Sequence, residues 1–320
     1  MKVIRQSVIP VGSFDTPLLK IEHCARVCYR SHDKSKAGSD VKLFSHLYRK
    51  GHWSVFEHVV VEYKMSKLYS AYDVDELIPS YARDLELLLT THPHYGKYVD
   101  VYPEREFSIV CNLRTLLEAH RDLPTNKLLS MTLFKLVGKE AWAIIKKDGE
   151  PDRYDILSDS LVSEFEDSLS VEIVTNRAIA NEMVRHRILS PSQESTRYVN
   201  FNNKEMCFIL PYELTPESLG YDMWLDSMAS IESVYKKLIT EYKWPPQKAR
   251  GVLPLDLATT IVFTGTRKQW NDALPKRLAE GVHPQAVQLA EVISSILGKP
   301  ANEVNVDLKV EDCGLGVNVI

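Results

Sequence analysis

Arg185, His186 and Arg187 stand side by side, and Ser195 and Arg197 follow after a seven-residue gap. Cations this dense, next to hydroxyls, make poor core and suit an anion. Guanidinium groups bind phosphate through paired, charge-assisted hydrogen bonds. The net charge of the 320-residue chain is −4, so there is no global basic field for nucleic acid and the anion site must be local. Ser195 suggests a nucleophile, but no histidine–acid pair is evident beside it, so a binding role fits better. The five cysteines (Cys24, Cys28, Cys111, Cys207, Cys313) form no CxxC. They read as small buried hydrophobes in a reducing compartment rather than as thiol nucleophiles or zinc ligands. A second polar cluster is Gly51-His52-Trp53-Ser54-Val55-Phe56-Glu57-His58. Its spacing is not HExxH, so no metal site is expected there. Hydrogen bonding to a cofactor, or satisfaction of a turn, explains it better.

The elements that position these residues follow from periodicity and punctuation. Apolar residues make up 44% and charged residues 26%, as in a globular protein with a sizeable core. No apolar run is long enough to span a bilayer, and the first ten residues read as a strand rather than a signal peptide, so a cytoplasmic protein is expected. A strand from Val171 leads into a helix carrying Glu182, Arg185 and His186 near its end, which Pro191 should stop. Helices are expected at 18–30 and at 41–50, the second capped by Asp40, with a strand at 59–65. Between 66 and 168, helical patterns appear at 80–89, 113–119, 127–145 and 156–169, and residues 107–114 read as strand into helix. Residues 216–242 form a long amphipathic helix with a seam of Trp224, Met228, Ile231, Tyr235, Leu238 and Tyr242, able to meet either its own core or another subunit. A strand at 259–264 should break at Gly265, and a helix should begin near His283-Pro284.

The signature at 185–197 resembles that of the flavin-dependent thymidylate synthases (the ThyX family). Residues 51–58 look like that family's GHxSxFEH block, Ala249-Arg250-Gly251-Val252-Leu253-Pro254 like its ARxVLP block, and residues 264–285 like its last block. The resemblance implies an α+β fold in one domain, 1–320, with a mostly antiparallel central sheet flanked by long helices. An extra, largely helical insertion is expected at about 66–168. It implies reductive methylation of dUMP to dTMP, with methylenetetrahydrofolate as carbon donor and reduced FAD, regenerated by NADPH, as hydride donor, in a homotetramer with shared sites. By the same resemblance dUMP would meet Glu182, Met183, Val184, Arg185, Gln193, Glu194, Ser195, Thr196, Arg197, Arg250 and Arg277, with Arg277 stabilising charge on the activated ring. FAD would meet Ser54, Glu57, Arg185, His186, Arg187, Gln193, Thr266, Arg267, Lys268, Asp272 and His283. Thr266, Lys268 and Asp272 depart from the family's usual residues, and an Asp near flavin phosphates requires a partner. No GxGxxG is present, so no Rossmann-type site is expected. The alternatives are a related flavin enzyme acting on another pyrimidine nucleotide and a catalytically silent nucleotide-binding scaffold.

Overall fold

The computed structural model describes residues 1–65, 67, 78–91, 100–102, 108–146 and 162–298. The chain opens with two short strands, β1 (Lys2–Ile4) and β2 (Ser7–Pro10), where one was expected; they belong to different sheets. Helix α1 (Pro17–Tyr29) begins where Thr16 accepts from Leu19 N and Pro17 supplies a preset φ. Helix α2 (Ser39–Arg49) is capped by Gly38 at φ 72°, not by Asp40, which sits in the first turn. A 3₁₀ segment, Trp53–His58, leads into β3 (Val60–Lys64). Then come α3 (Ile78–Thr91), β4 (Asp100–Tyr102), β5 (Ser108–Asn112), α4 (Leu113–Asp122) and α5 (Lys127–Ile145), which kinks at Gly138. The remainder is β6 (Val162–Glu164), β7 (Ser168–Asn176), α6 (Arg177–Met183), β8 (Ser190–Gln193), β9 (Cys207–Ile209), α7 (Tyr221–Thr240), α8 (Pro246–Ala249), β10 (Ala258–Thr266), α9 (Arg267–Ala273) and α10 (Pro284–Leu297).

The α+β class holds, but the strands form two antiparallel four-stranded sheets, not one central sheet. Their orders are β2-β7-β10-β8 and β4-β5-β3-β6, with β1 and β9 pairing in parallel beside them. The segment expected to be a largely helical insertion therefore supplies three strands of the second sheet as well as helices. In particular, the helix expected over 156–169 gives way to β6 and the start of β7 among its described residues. The apolar spacing there fits both periods, and pairing of β6 with β3 decides for strand. The histidine-dense residues 92–94, which the sequence reads as an exposed turn, and the Val-rich residues 301–320 lie outside the described residues.

Each sheet buries its own core. Phe44, Phe56, Tyr63, Leu116 and Leu133 fill the space between the second sheet and α1, α2, α4 and α5. Phe263, Trp270, Leu289 and Ile293 pack the first sheet against α9 and α10. Fully buried Trp270 also donates from Nε1 to Leu169 O at 3.1 Å. Truncating such a side chain costs about 3–5 kcal/mol. The seam of α7 packs within the chain: Met228 and Tyr235 are buried with Phe201, Met206 and Phe208, while Tyr242, past the helix end, is exposed. That helix starts at Tyr221, after Gly220 at φ 92°, five residues beyond the expected start at 216.

Candidate active site

The signature runs from the turn after α6 through β8, an edge strand of the first sheet. Asn176, the last residue of β7, caps α6 by accepting from Ile179 N at 2.9 Å. Helix α6 ends at Met183, well before Pro191, so Arg185, His186 and Arg187 lie on the turn beyond it. Pro191 does not terminate a helix; it lies in β8, paired with Phe263 of β10. Proline is tolerated there because β8 is an edge strand. Met183 is buried and Val184 half-buried, whereas Arg185 and Arg187 are exposed and form no ion pair among the described residues.

Arg277 returns to this turn from more than ninety residues away. It lies at the end of a 3₁₀ turn, Leu274–Arg277, which contains Pro275 and follows α9. Its Nε donates to His186 Nε2 at 2.6 Å, Nη1 to Glu182 Oε2 at 3.0 Å, and Nη2 to Glu182 O at 2.7 Å. The first bond makes His186 a neutral acceptor with its proton on Nδ1. Burial, then Arg277 and Lys276, lower the His186 pKa, against a smaller opposing pull from Asp272.

The second half of the motif lies along β8 and just past it. Gln193 Nε2 donates to Thr259 Oγ1 at 3.4 Å. Glu194 and Thr196 are buried, and burial raises the Glu194 pKa, opposed by Arg30, the Thr260 backbone and Arg177. Ser195 N donates to Cys28 O at 3.0 Å, and its Oγ accepts from Arg197 N at 3.3 Å. The Ser195 hydroxyl thus shapes a turn. Exposed Arg197 lies over the Tyr198 ring at 5.3 Å and donates from Nε to Gln247 at 3.3 Å, just ahead of Arg250.

Arg177 was missed in the sequence reading. Its Nη1 donates to Thr259 Oγ1 at 3.2 Å and to Glu194 O at 3.4 Å. Burial and the nearby Arg250 charge lower its pKa, while Glu194 raises it. Arg177 and Arg250 are therefore neighbouring cations on the Gln193–Arg197 side. A signal was available: α6 opens on a cation, against its macrodipole.

The residues expected at the flavin divide. Gly265 does not break β10, which runs to Thr266. A Cβ at Gly265 would lie 2.5 Å from Leu189 Cδ2, so this glycine serves close packing. Thr266 is buried and closes a capping box with Gln269 at the start of α9, which commits its hydroxyl. Arg267 Nε donates to Asp167 Oδ1 at 2.7 Å, and Asp272 has the partner its position requires in Lys276 at 2.7 Å. His283 caps α10 through Nδ1, accepting from Gln285 N at 3.2 Å. Ser54 and Lys268 are exposed.

His58, which the sequence left between two readings, is fully buried. Its Nδ1 lies 2.7 Å from Thr264 Oγ1 and its Nε2 2.8 Å from Ser192 Oγ, fastening the 53–58 segment to β10 and β8. Burial, then Lys20 and His23, lower its pKa to about 3, so the ring is neutral. Burial likewise pushes Cys24 up to about 12 and raises Cys28 and Cys111, which leaves these thiols unreactive, as the sequence suggested. Between Glu57, Asn112, Ser190, Thr266 and Gln269 lies a cleft of about 20 Å³. A larger cavity of about 610 Å³ lies away from the signature, between β2, residues 210–215 and α10.

Comparison with known sequences matches the geometry. The family described as "Thymidylate synthase complementing protein" matches residues 11–70 and 156–301. The chain is 31% identical over 107 residues to the flavin-dependent thymidylate synthase of Pyrococcus furiosus, covering 33% of this chain and 43% of that protein. It is 27% identical over 158 residues to the protein of the same name from Corynebacterium efficiens, covering 45% and 62%. The chain thus spans less than two thirds of the length of these curated relatives. With the family match covering well over half of the chain, and its signature, ARxVLP and final blocks gathered around the first sheet, this chain belongs to the thymidylate synthase complementing protein family.

Proposed function

We propose that the protein is a flavin-dependent thymidylate synthase, converting dUMP to dTMP. The observation that carries this reading is the grip on Arg277. A guanidinium fixed by Glu182 and His186 is pre-aimed and needs no reorganisation as charge develops nearby. Arg277 would face the pyrimidine carbonyl and stabilise negative charge on the activated ring. Such activation needs no thiolate, in accord with the raised cysteine pKa values. Arg197, Arg250 and Ser195, joined by the newly placed Arg177, would bind the phosphate. Gln193 and Glu182 would read the uracil or ribose edges.

The donor set also fits FAD. Arg185 and Arg187 are exposed cations with no carboxylate among the described residues, suited to a diphosphate. Arg267 and Lys268 add charge at the start of α9. The reduced flavin, regenerated by NADPH, would supply the hydride, and methylenetetrahydrofolate the one-carbon unit. The small cleft in one chain cannot enclose a flavin, which favours a homotetramer with shared sites. In this reading the protein works in the cytoplasm, with dUMP and folate as its partners.

The test is tritium release from 5-labelled dUMP in the presence of FAD, NADPH and methylenetetrahydrofolate. Release that depends on all three supports the assignment. No release from dUMP, with turnover of a cytosine nucleotide, would replace the substrate; a protein that takes up no FAD would overturn the reading.

A further inference from the structure

The 53–58 segment is held at adjacent residues by the first sheet and by α4, the helix that follows β5 of the second sheet. His58 is bonded to β8 and β10 of the first sheet. Glu57 turns the other way, where Arg114 Nη1 donates to its Oε1 at 2.6 Å. Arg114 is steadied by Glu118, one turn along α4, which accepts from Nε at 2.9 Å. Arg114 falls between the two stretches matched by the family.

The junction that carries Arg114 repeats one from the first sheet. Asn112 ends β5, caps α4 and lies opposite Val60, the first residue of β3. Thr266 ends β10, caps α9 and lies opposite Ser168, the first residue of β7. In each helix the first N–H donates to the residue just before the partner strand: Leu113 to Val59 O at 2.8 Å, and Arg267 to Asp167 O at 2.9 Å. Each helix also carries in its first turn an arginine paired to an acid upstream of that strand, Arg114 with Glu57 and Arg267 with Asp167. The two junctions face one another across the small cleft, which Glu57 and Asn112 line from one side and Thr266 and Gln269 from the other.

We infer that Arg114 is a positioning residue of the active site: by fixing Glu57 it sets the turn that presents Ser54, so the unit carrying α4 is part of the site. Glu57 is only 7% exposed, and a carboxylate that buried cannot keep its place without a cation. Lysine would keep the charge but lose the planar fork that serves Glu57 and Glu118 together.

This inference rests on the proposed flavin site, and the test separates the two. The 320-residue chain is titrated with FAD by flavin fluorescence, and amide hydrogen exchange of residues 53–58 is read before FAD is added. Arg114→Met should weaken FAD binding at least tenfold and speed exchange at 53–58 by a similar factor, leaving β7 and β10 unchanged. Arg114→Lys should fall between, and Glu57→Gln should reproduce the effect, with the double variant adding nothing further. A folded Arg114→Met protein with wild-type FAD affinity and exchange overturns the inference. Should that variant not fold, Glu57→Gln with wild-type values overturns it equally. If wild-type protein takes up no FAD, the flavin reading fails, while the exchange data still decide whether Arg114 holds the turn.

Discussion

Arg277 gains its value from the two groups that hold it. Its guanidinium donates to His186 and twice to Glu182, so its direction is set before substrate arrives. Removing one preorganised donor of this kind costs on the order of 10²–10³ in kcat. Arg277→Ala should lose that much in tritium release while retaining its fold and flavin uptake; near-normal turnover would remove Arg277 from the chemistry. His58 offers a different test at the same scale. Its folded pKa of about 3 lies below the ordinary value of 6.5, so between those limits the unfolded chain binds a proton that the native state refuses. Stability therefore rises with pH through this window; the His58 contribution is fully present above 6.5 and is lost as pH falls toward 3, by up to about 1.4 kcal/mol per pH unit. His58→Gln has no proton to gain, so its urea-denaturation free energy should decline less steeply between pH 6 and pH 4 than that of the wild type. Parallel slopes would count against the neutral, buried ring.

At the scale of elements, the chain repeats one device: a strand whose last residue caps the helix that follows. Asn112, Asn176 and Thr266 play this part, and all three helices carry cations in their first turn, Arg114, Arg177 and Arg267 with Lys268. A cation in the first turn opposes the macrodipole by about 0.3–1 kcal/mol, a local cost that points to function. Gly265 is the close-packed point of the third junction. Gly265→Ala must displace the buried Leu189 tip, and overpacking of that kind costs about 1–3 kcal/mol. A lowered denaturation midpoint should report it, and an unchanged midpoint would show that Leu189 can yield. The bounds of α5 and the strand-to-helix turn at Asn112 were legible because periodicity and cap chemistry are local. Gly265 misled because a glycine in a strand reads as a break, and only the distant Leu189 shows it to be a close approach. The reach of Arg277 to Glu182, and the clasp of Arg114 on Glu57, join residues far apart in sequence and leave no local trace.

The whole molecule brings together two antiparallel sheets, with the 53–58 segment between them and cationic side chains at its surface. The resemblance identified the signature block correctly, but only the fold shows that β8 presents Gln193 while the turn after α6 leaves Arg185 and Arg187 in solvent. Two exposed guanidinium groups with no ion pair among the described residues would by themselves hold the proposed flavin dinucleotide only weakly, because water screens each contact and little apolar area is removed. Under the proposed function, another copy of the chain would supply that enclosure. Exposed apolar side chains are available for such contacts: Leu219, Met223 and Val234 stand out along or just before α7. Flavin affinity should therefore follow assembly. Sedimentation across a dilution series should give a tetramer at high concentration, and flavin fluorescence should recover from quenching over the same range in which the assembly dissociates. Adding dUMP, which would bridge the same cations, should shift both transitions together to lower protein concentration, since a ligand that binds only the assembled form stabilises it by mass action. A monomer that keeps its flavin with undiminished affinity would mean that one chain completes the site, leaving no role for a shared one.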